Sequence, residues 1–178
     1  AEEGVFWYAE AYGAGHFWEP FLVPKSGYFQ TVCRIGGYFG TLVDIGHAPA
    51  LFGTIAIVLQ VLPAAFFLSR RFEKIVPSYL IRFLCGLGYL LLLGSSETQA
   101  NLTNSQWRLA VLMFLIVIVP QGRKIGWKLF DDGMLLLSGL SGPFVLFMLP
   151  SAVAYYRHRR ELHDLSLIHI SEPTRRRG

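Results

Sequence analysis

From Ala48 to Leu68 the chain carries no charged side chain, and no other stretch restricts its fold as much. At about 1.5 Å per residue this stretch covers roughly 30 Å, the thickness of a bilayer's hydrocarbon core. In lipid every backbone amide and carbonyl must find its partner inside the segment, so the stretch is predicted to be a helix. Arg70 and Arg71 close it on one side, Asp44 and His47 on the other. A helix buried all round in a large soluble core would also be apolar, but further apolar segments follow this one. Charged residues make up 16% of the chain, against about 25% in an ordinary globular domain. The expectation is an all-α fold, a polytopic integral membrane bundle of four or five transmembrane helices, with the lipid bilayer as its first partner.

The remaining segments are placed around that helix. Residues 1–27 are rich in aromatics, among them Trp7, Tyr8, Tyr12 and Trp18, and Pro20 and Pro24 exclude one unbroken helix. Tyr and Trp favour the headgroup layer, so this part is expected to be an interfacial segment. The membrane region is expected over 28–156, with helices at about 28–43, 48–68, 78–94 and 133–156 and a short one at 107–120. Gly36 and Gly37, Gly86 and Gly88, and Gly139 and Gly142 are expected to allow close helix packing. Asp44-Ile-Gly46-His47 is expected to be a tight turn, and Gln121–Asp132 a polar loop. Residues 157–164 read as a basic juxtamembrane tail. Lysine and arginine are nearly balanced on the two sides, so orientation is not assigned.

The chain begins at Ala1 rather than Met, which is the expectation for a fragment or a processed chain. Leu165–Arg175 reads LSLIHISEPTR and resembles the translation of a sequencing-library adapter, so 165–178 is set aside as an expected artefact. The net charge of +4 is not gathered into a basic field that would suit nucleic acid. Cys33 and Cys85 both lie in apolar segments, and neither belongs to a metal-ligand spacing. No phosphate-cradling loop or nucleophile motif occurs, and no cofactor or metal is expected. Asp44 and His47, with His158 and His163, are the only residues that would serve a membrane-embedded acyl- or glycosyl-transferase. A non-catalytic membrane subunit is the other alternative.

Two stretches carry a resemblance. Gly40-Thr-Leu-Val-Asp44-Ile-Gly46-His47, between two expected helices, resembles the loop joining the second and third helices of the major facilitator superfamily. Arg82-Phe-Leu-Cys-Gly86-Leu-Gly88 follows at about the expected separation and is similar to the arginine-and-glycine signature of that family's fourth helix. The resemblance covers about Tyr28–Gly94. It implies a secondary transporter moving a small solute by alternating access, with proton or ion coupling open. It also implies that Gly40, Asp44 and Gly46 belong to a conformational latch, and that Arg82 is a charge-coupling group facing a central cavity. A second resemblance rests on Phe130-Asp-Asp132, Leu140-Ser-Gly142-Pro143 and Phe147-Met-Leu149-Pro150, which is similar to a late helix of the amino acid/auxin permease family. Both imply transport.

Overall fold

The computed structural model describes residues 3–25, 27–91, 99–120, 122, 124–144, 146–148, 150 and 153. The chain divides into two units, Ala1–Val145 and Leu146–Gly178. In the second unit Leu146, Phe147, Met148, Pro150 and Val153 have helical backbone. The expected tail at 157–164, the adapter-like 165–178 and the far end of the expected 133–156 helix lie outside the described residues, as do His158 and His163.

The first unit is all-α. A π-helical turn, Glu3–Tyr8, runs directly into α1, Ala9–Gly13, and α2 is Glu19–Leu22. Helices α3, Thr31–Thr41, and α4, Ala48–Leu68, are followed by a 3-10 turn at Arg70–Lys74. Then come α5, Tyr79–Leu91, α6, Ser105–Ile118, and α7, Ile125–Ser141.

The apolar stretch is helical from Ala48 to Leu68, as expected, with Pro49 in its first turn, where a missing amide costs nothing. It serves as the spine. Its first half joins a core with Val32, Leu102 and Leu109 through Ala48, Phe52, Ala56 and Leu59. Near its other end Phe66 packs with Phe72, Leu112, Ile116 and Val119.

Elsewhere the boundaries differ from expectation. The helix expected over 28–43 starts only at Thr31, because Lys25 and Tyr28 form an isolated antiparallel bridge and Gln30 takes a left-handed φ of 53°. Eleven residues cover only about 16 Å at the helical rise. Within the expected interfacial segment Glu3–Gly13 and Glu19–Leu22 are helical, and Trp7 is buried, its Nε1 donating to Thr103 Oγ1 at 2.9 Å, whereas Tyr12, Phe17 and Trp18 stay exposed. The 107–120 helix is Ser105–Ile118, ending where Val119 turns extended before Pro120. The helix expected over 78–94 is described as α5 over Tyr79–Leu91, and residues 92–94 lie outside the described residues.

The largest correction concerns α7. The expected polar loop Gln121–Asp132 and the helix expected to begin at Gly133 are replaced by one helix beginning at Ile125. Trp127, Phe130, Met134 and Leu135 recur at helical spacing and pack on the Phe66–Phe72 core, which overrides the charges between them. It ends at Ser141 because Gly142 is extended and Pro143 has no amide to continue the ladder.

The packing glycines are of two kinds. A Cβ on Gly36 would collide with Leu102, one on Gly37 with the Trp7 carbonyl, and one on Gly40 would stand 2.7 Å from the Phe52 ring. Gly86 sits in ordinary contact range of Ala64, and Gly88 faces open space. Gly139 is half-buried in α7, and Gly142 lies 2.9 Å (at the Cβ position) from Gln106 Oε1.

Candidate functional site

Asp44 closes its own turn. Its Oδ1 accepts from Gly46 N at 2.8 Å, and its carbonyl accepts from His47 N at 2.8 Å. Such an aspartate turn is the local hydrogen bonding that ends α3 and starts α4. His47 Nδ1 is 3.9 Å from Asp44 Oδ1, with both side chains largely exposed, so the pair contributes little.

Arg82 lies at the other end of α4. It is 4% exposed, and its Nη1 donates to Leu68 O at 3.0 Å and Ser69 O at 2.7 Å. They are the last carbonyl of α4 and that of its C-cap, which also accepts from Phe72 N, so a cation there suits the negative end of the helix dipole. Its guanidinium also stands 5.6 Å from the Tyr79 ring centre. Asp44 and Arg82 are therefore separated by the length of α4, about 31 Å at the helical rise. The two resemblance-derived groups are not brought together.

What the fold does bring together is a pair absent from the sequence expectations. Arg71, in the 3-10 turn after α4, donates from Nη1 to Asp131 Oδ1 at 2.6 Å and from Nη2 to Asp131 Oδ2 at 2.8 Å. Nη2 also donates to Pro120 O at 3.0 Å, so one guanidinium ties the α4–α5 turn, the α6–α7 connection and α7. The side chains are 8% and 4% exposed. Phe66 and Trp127 flank the guanidinium at 5.0 and 5.1 Å from their ring centres, within cation–π range. Bidentate geometry in an aromatic surround is where an Arg–carboxylate pair is strongest.

Asp131 opens a stripe along α7. The fully buried residues of this helix are Asp131, Ser138 and Ser141, whereas Leu129, Leu136 and Leu140 are exposed. At the far end of the stripe α7 meets the start of α3: Thr31 Oγ1 donates to Leu140 O at 3.2 Å, and Val32 N donates to Ser141 Oγ at 3.2 Å. Two glutamine oxygens flank this junction. Gln30 Oε1 and Gln106 Oε1 are both buried and accept no hydrogen bond from the described residues. The signal for Asp131 was present in the chain, because Trp127, Phe130, Met134 and Leu135 frame it at three- and four-residue spacing.

A second polar cluster lies at the N-terminal segment. Glu10 Oε1 accepts from Lys25 Nζ at 2.8 Å, and its Oε2 stands 3.4 Å from Arg34 Nη1. Arg34 is buried and also donates to Phe29 O at 2.7 Å and Val23 O at 2.6 Å. The ammonium of Lys25 sits 3.9 Å from the Phe6 ring centre. Glu10, Glu19, Lys25 and Arg34 line an open groove of about 530 Å³. The two bases are spent on Glu10 and on backbone carbonyls, which makes this cluster the fastening of α3 to the N-terminal segment.

Among the described residues no three His, Cys, Asp or Glu side chains come together as a metal site. The chain matches no protein-family model, no curated protein sequence and no solved structure.

Proposed function

We propose that the chain is a polytopic integral membrane bundle and part of a secondary transporter that moves a small solute by alternating access. The observation that carries this reading is an inversion of polarity. Arg34, Arg82, Arg108 and Asp131 are buried, while Leu80, Leu84, Leu87 and Leu91 of α5 are exposed, as are Ile57, Val58 and Val61 of α4. Water would penalise that arrangement on both counts, and hydrocarbon favours it. Among the described residues one helix, Ala48–Leu68, is long and apolar enough to cross a membrane, and only 33% of that window is buried. A soluble core helix would be mostly covered.

Transport is supported by α7, which buries the polar Asp131, Ser138 and Ser141 beside the packed Met134 and Leu135 and exposes Leu129, Leu136 and Leu140. Helices that line an aqueous path show this pattern, since ionisable groups inside a membrane face the bundle interior or a pathway. The α3–α7 junction adds two helix ends meeting inside the bundle, an arrangement that secondary transporters use at solute sites.

The test is reconstitution of the protein encoded by the native locus into liposomes, followed by stopped-flow light scattering after osmotic challenge with small sugars, amino acids and organic acids. Flux of at least one class above that of protein-free vesicles is expected, and Ser138→Leu should abolish it by filling the stripe. Impermeability to every class, with the protein inserted and folded, would contradict transport and favour a non-catalytic subunit.

Asp44 is a separate expectation. Since its contacts are confined to its own turn, Asp44→Asn should change the unfolding free energy by no more than about 0.5 kcal/mol. A latch role predicts that the same variant loses most solute flux at unchanged stability. Retained flux would leave Asp44 as a turn residue alone.

A further inference from the structure

We propose that the end of the first unit formed by the α4–α5 turn and the start of α7 binds an anionic phospholipid. Its phosphate sits among Arg70, Lys74, Lys124 and Lys128, and an acyl chain lies on Ile125, Trp127 and Phe130. The proposal rests on the bundle lying in a bilayer and does not depend on transport.

The fold gathers charge at that end. Arg71 donates to Pro120 O and to Asp131, and so draws the turn after α4 onto the α6–α7 connection and α7. Arg70 and Lys74 lie in that turn, Lys124 and Lys128 lie at the start of α7, and all four are exposed. The ion pairs among the described residues are Lys25–Glu10, Arg34–Glu10, His47–Asp44 and Arg71–Asp131, which leaves these four cations open to a ligand. Two exposed acids, Glu73 and Asp132, share the same end, so four bases stand against two acids. Around the first half of α4 there is no such surplus. Arg34 and Arg108 are buried there, Lys25 is bound to Glu10, and Asp44 is exposed.

The depth suits headgroups. α4 covers about 31 Å at the helical rise, so a bilayer crossed by this helix puts Ser69 and the turn behind it in the headgroup layer. Tyr79, exposed at the start of α5, is the residue type that this layer prefers. Anionic headgroups at that level attract each exposed base.

The lysines adjoin an apolar floor. Lys124, Ile125, Gly126, Trp127 and Phe130 line an open groove of about 550 Å³. Ile125 is 71% exposed, and a Cβ on Gly126 would meet nothing within 4 Å, so the floor is uncovered. Trp127 and Phe130 are fixed from behind by Phe66, at 6.1 and 5.7 Å between ring centres. A cation beside an apolar aromatic floor fits an amphiphile. Free phosphate would leave that floor in water. A choline headgroup brings its own positive charge beside the phosphate and cancels the attraction, which selects a net anionic lipid.

The test reads quenching of Trp127 by lipids with brominated acyl chains. The full chain is reconstituted in phosphatidylcholine liposomes containing the same small fraction of either brominated phosphatidylglycerol or brominated phosphatidylcholine. Subtracting the Trp127→Phe variant isolates the Trp127 signal. At low salt brominated phosphatidylglycerol should be preferred at Trp127 by about tenfold, the size expected for a surplus of two bases after partial screening. The preference should fall to near unity when Arg70, Lys74, Lys124 and Lys128 are all changed to Gln, substitutions at exposed positions that leave the packing alone. Equal quenching by the two lipids in the starting chain would overturn the site while leaving the chain in the bilayer. So would a preference that survives the four glutamines. Quenching by neither lipid would overturn the site and the membrane reading together.

Discussion

Arg71→Ala is expected to lower the unfolding free energy by about 3–5 kcal/mol. The reason is the carboxylate left behind. Asp131 is 4% exposed and accepts both of its short contacts from Arg71. Without the guanidinium it keeps its desolvation cost with nothing to offset it, and Pro120 O loses a donor as well. Removing both charges has a different outcome. Arg71→Met with Asp131→Leu fills similar volume inside the Phe66–Phe72 core and should lie within about 1 kcal/mol of the starting chain. Equilibrium unfolding in mixed micelles, titrated with a denaturing detergent, measures all three. A double variant as unstable as Arg71→Ala would show that hydrogen bonds to Pro120 O, not charge compensation, carry the contact.

The second large effect is at Gly37. A Cβ there would collide with the carbonyl oxygen and carbon of Trp7, and backbone cannot step aside as a side chain can. Gly37→Ala is therefore expected to cost about 1–3 kcal/mol through overpacking. The damage should be local, freeing the N-terminal segment from α3 and breaking the Trp7 Nε1 to Thr103 Oγ1 hydrogen bond. Trp7 emission shifting to the red would report that release. Gly88→Ala is the matched control, because its Cβ meets nothing and alanine is the better helix former by about 0.5–1 kcal/mol. Its expected effect is neutral or stabilising. Equal losses at the two positions would mean that the close approach of α3 to Trp7 is wrong.

These expectations show which parts of the architecture could be read from the chain and which could not. The Ala48–Leu68 helix was legible in full, because its composition is uniform and its ends carry Pro49 on one side and Ser69-Arg70 on the other. The glycines at 36 and 37 were legible as packing positions, although their partners, Leu102 and Trp7, lie far away in sequence. α7 was misread because Lys124, Lys128, Asp131 and Asp132 look like a loop when counted as charges. Their aromatic neighbours at helical spacing were the stronger signal, and burial of Asp131 depends on an arginine 60 positions earlier. Arg82 was legible only through the resemblance, as a charge-coupling group facing a cavity, whereas it caps the end of α4. That the partner would be the end of α4 depends on how α4 and α5 fold back on each other, which no local pattern encodes. The same holds for α3, whose shortening follows from the left-handed Gln30 and the Lys25–Tyr28 bridge.

The account stands on the exposed apolar faces lying in hydrocarbon, and Cys85 tests that most directly. It is exposed on α5, the helix whose Leu84 and Leu87 are also uncovered. With Cys33→Ala it becomes the only thiol in the chain. In intact liposomes a membrane-impermeant maleimide should leave Cys85 unlabelled, and the same protein dissolved in denaturing detergent should label completely. Full labelling in the intact liposomes, at the rate of a free thiol, would place the α5 face in water and contradict the membrane bundle and the transport reading built on it.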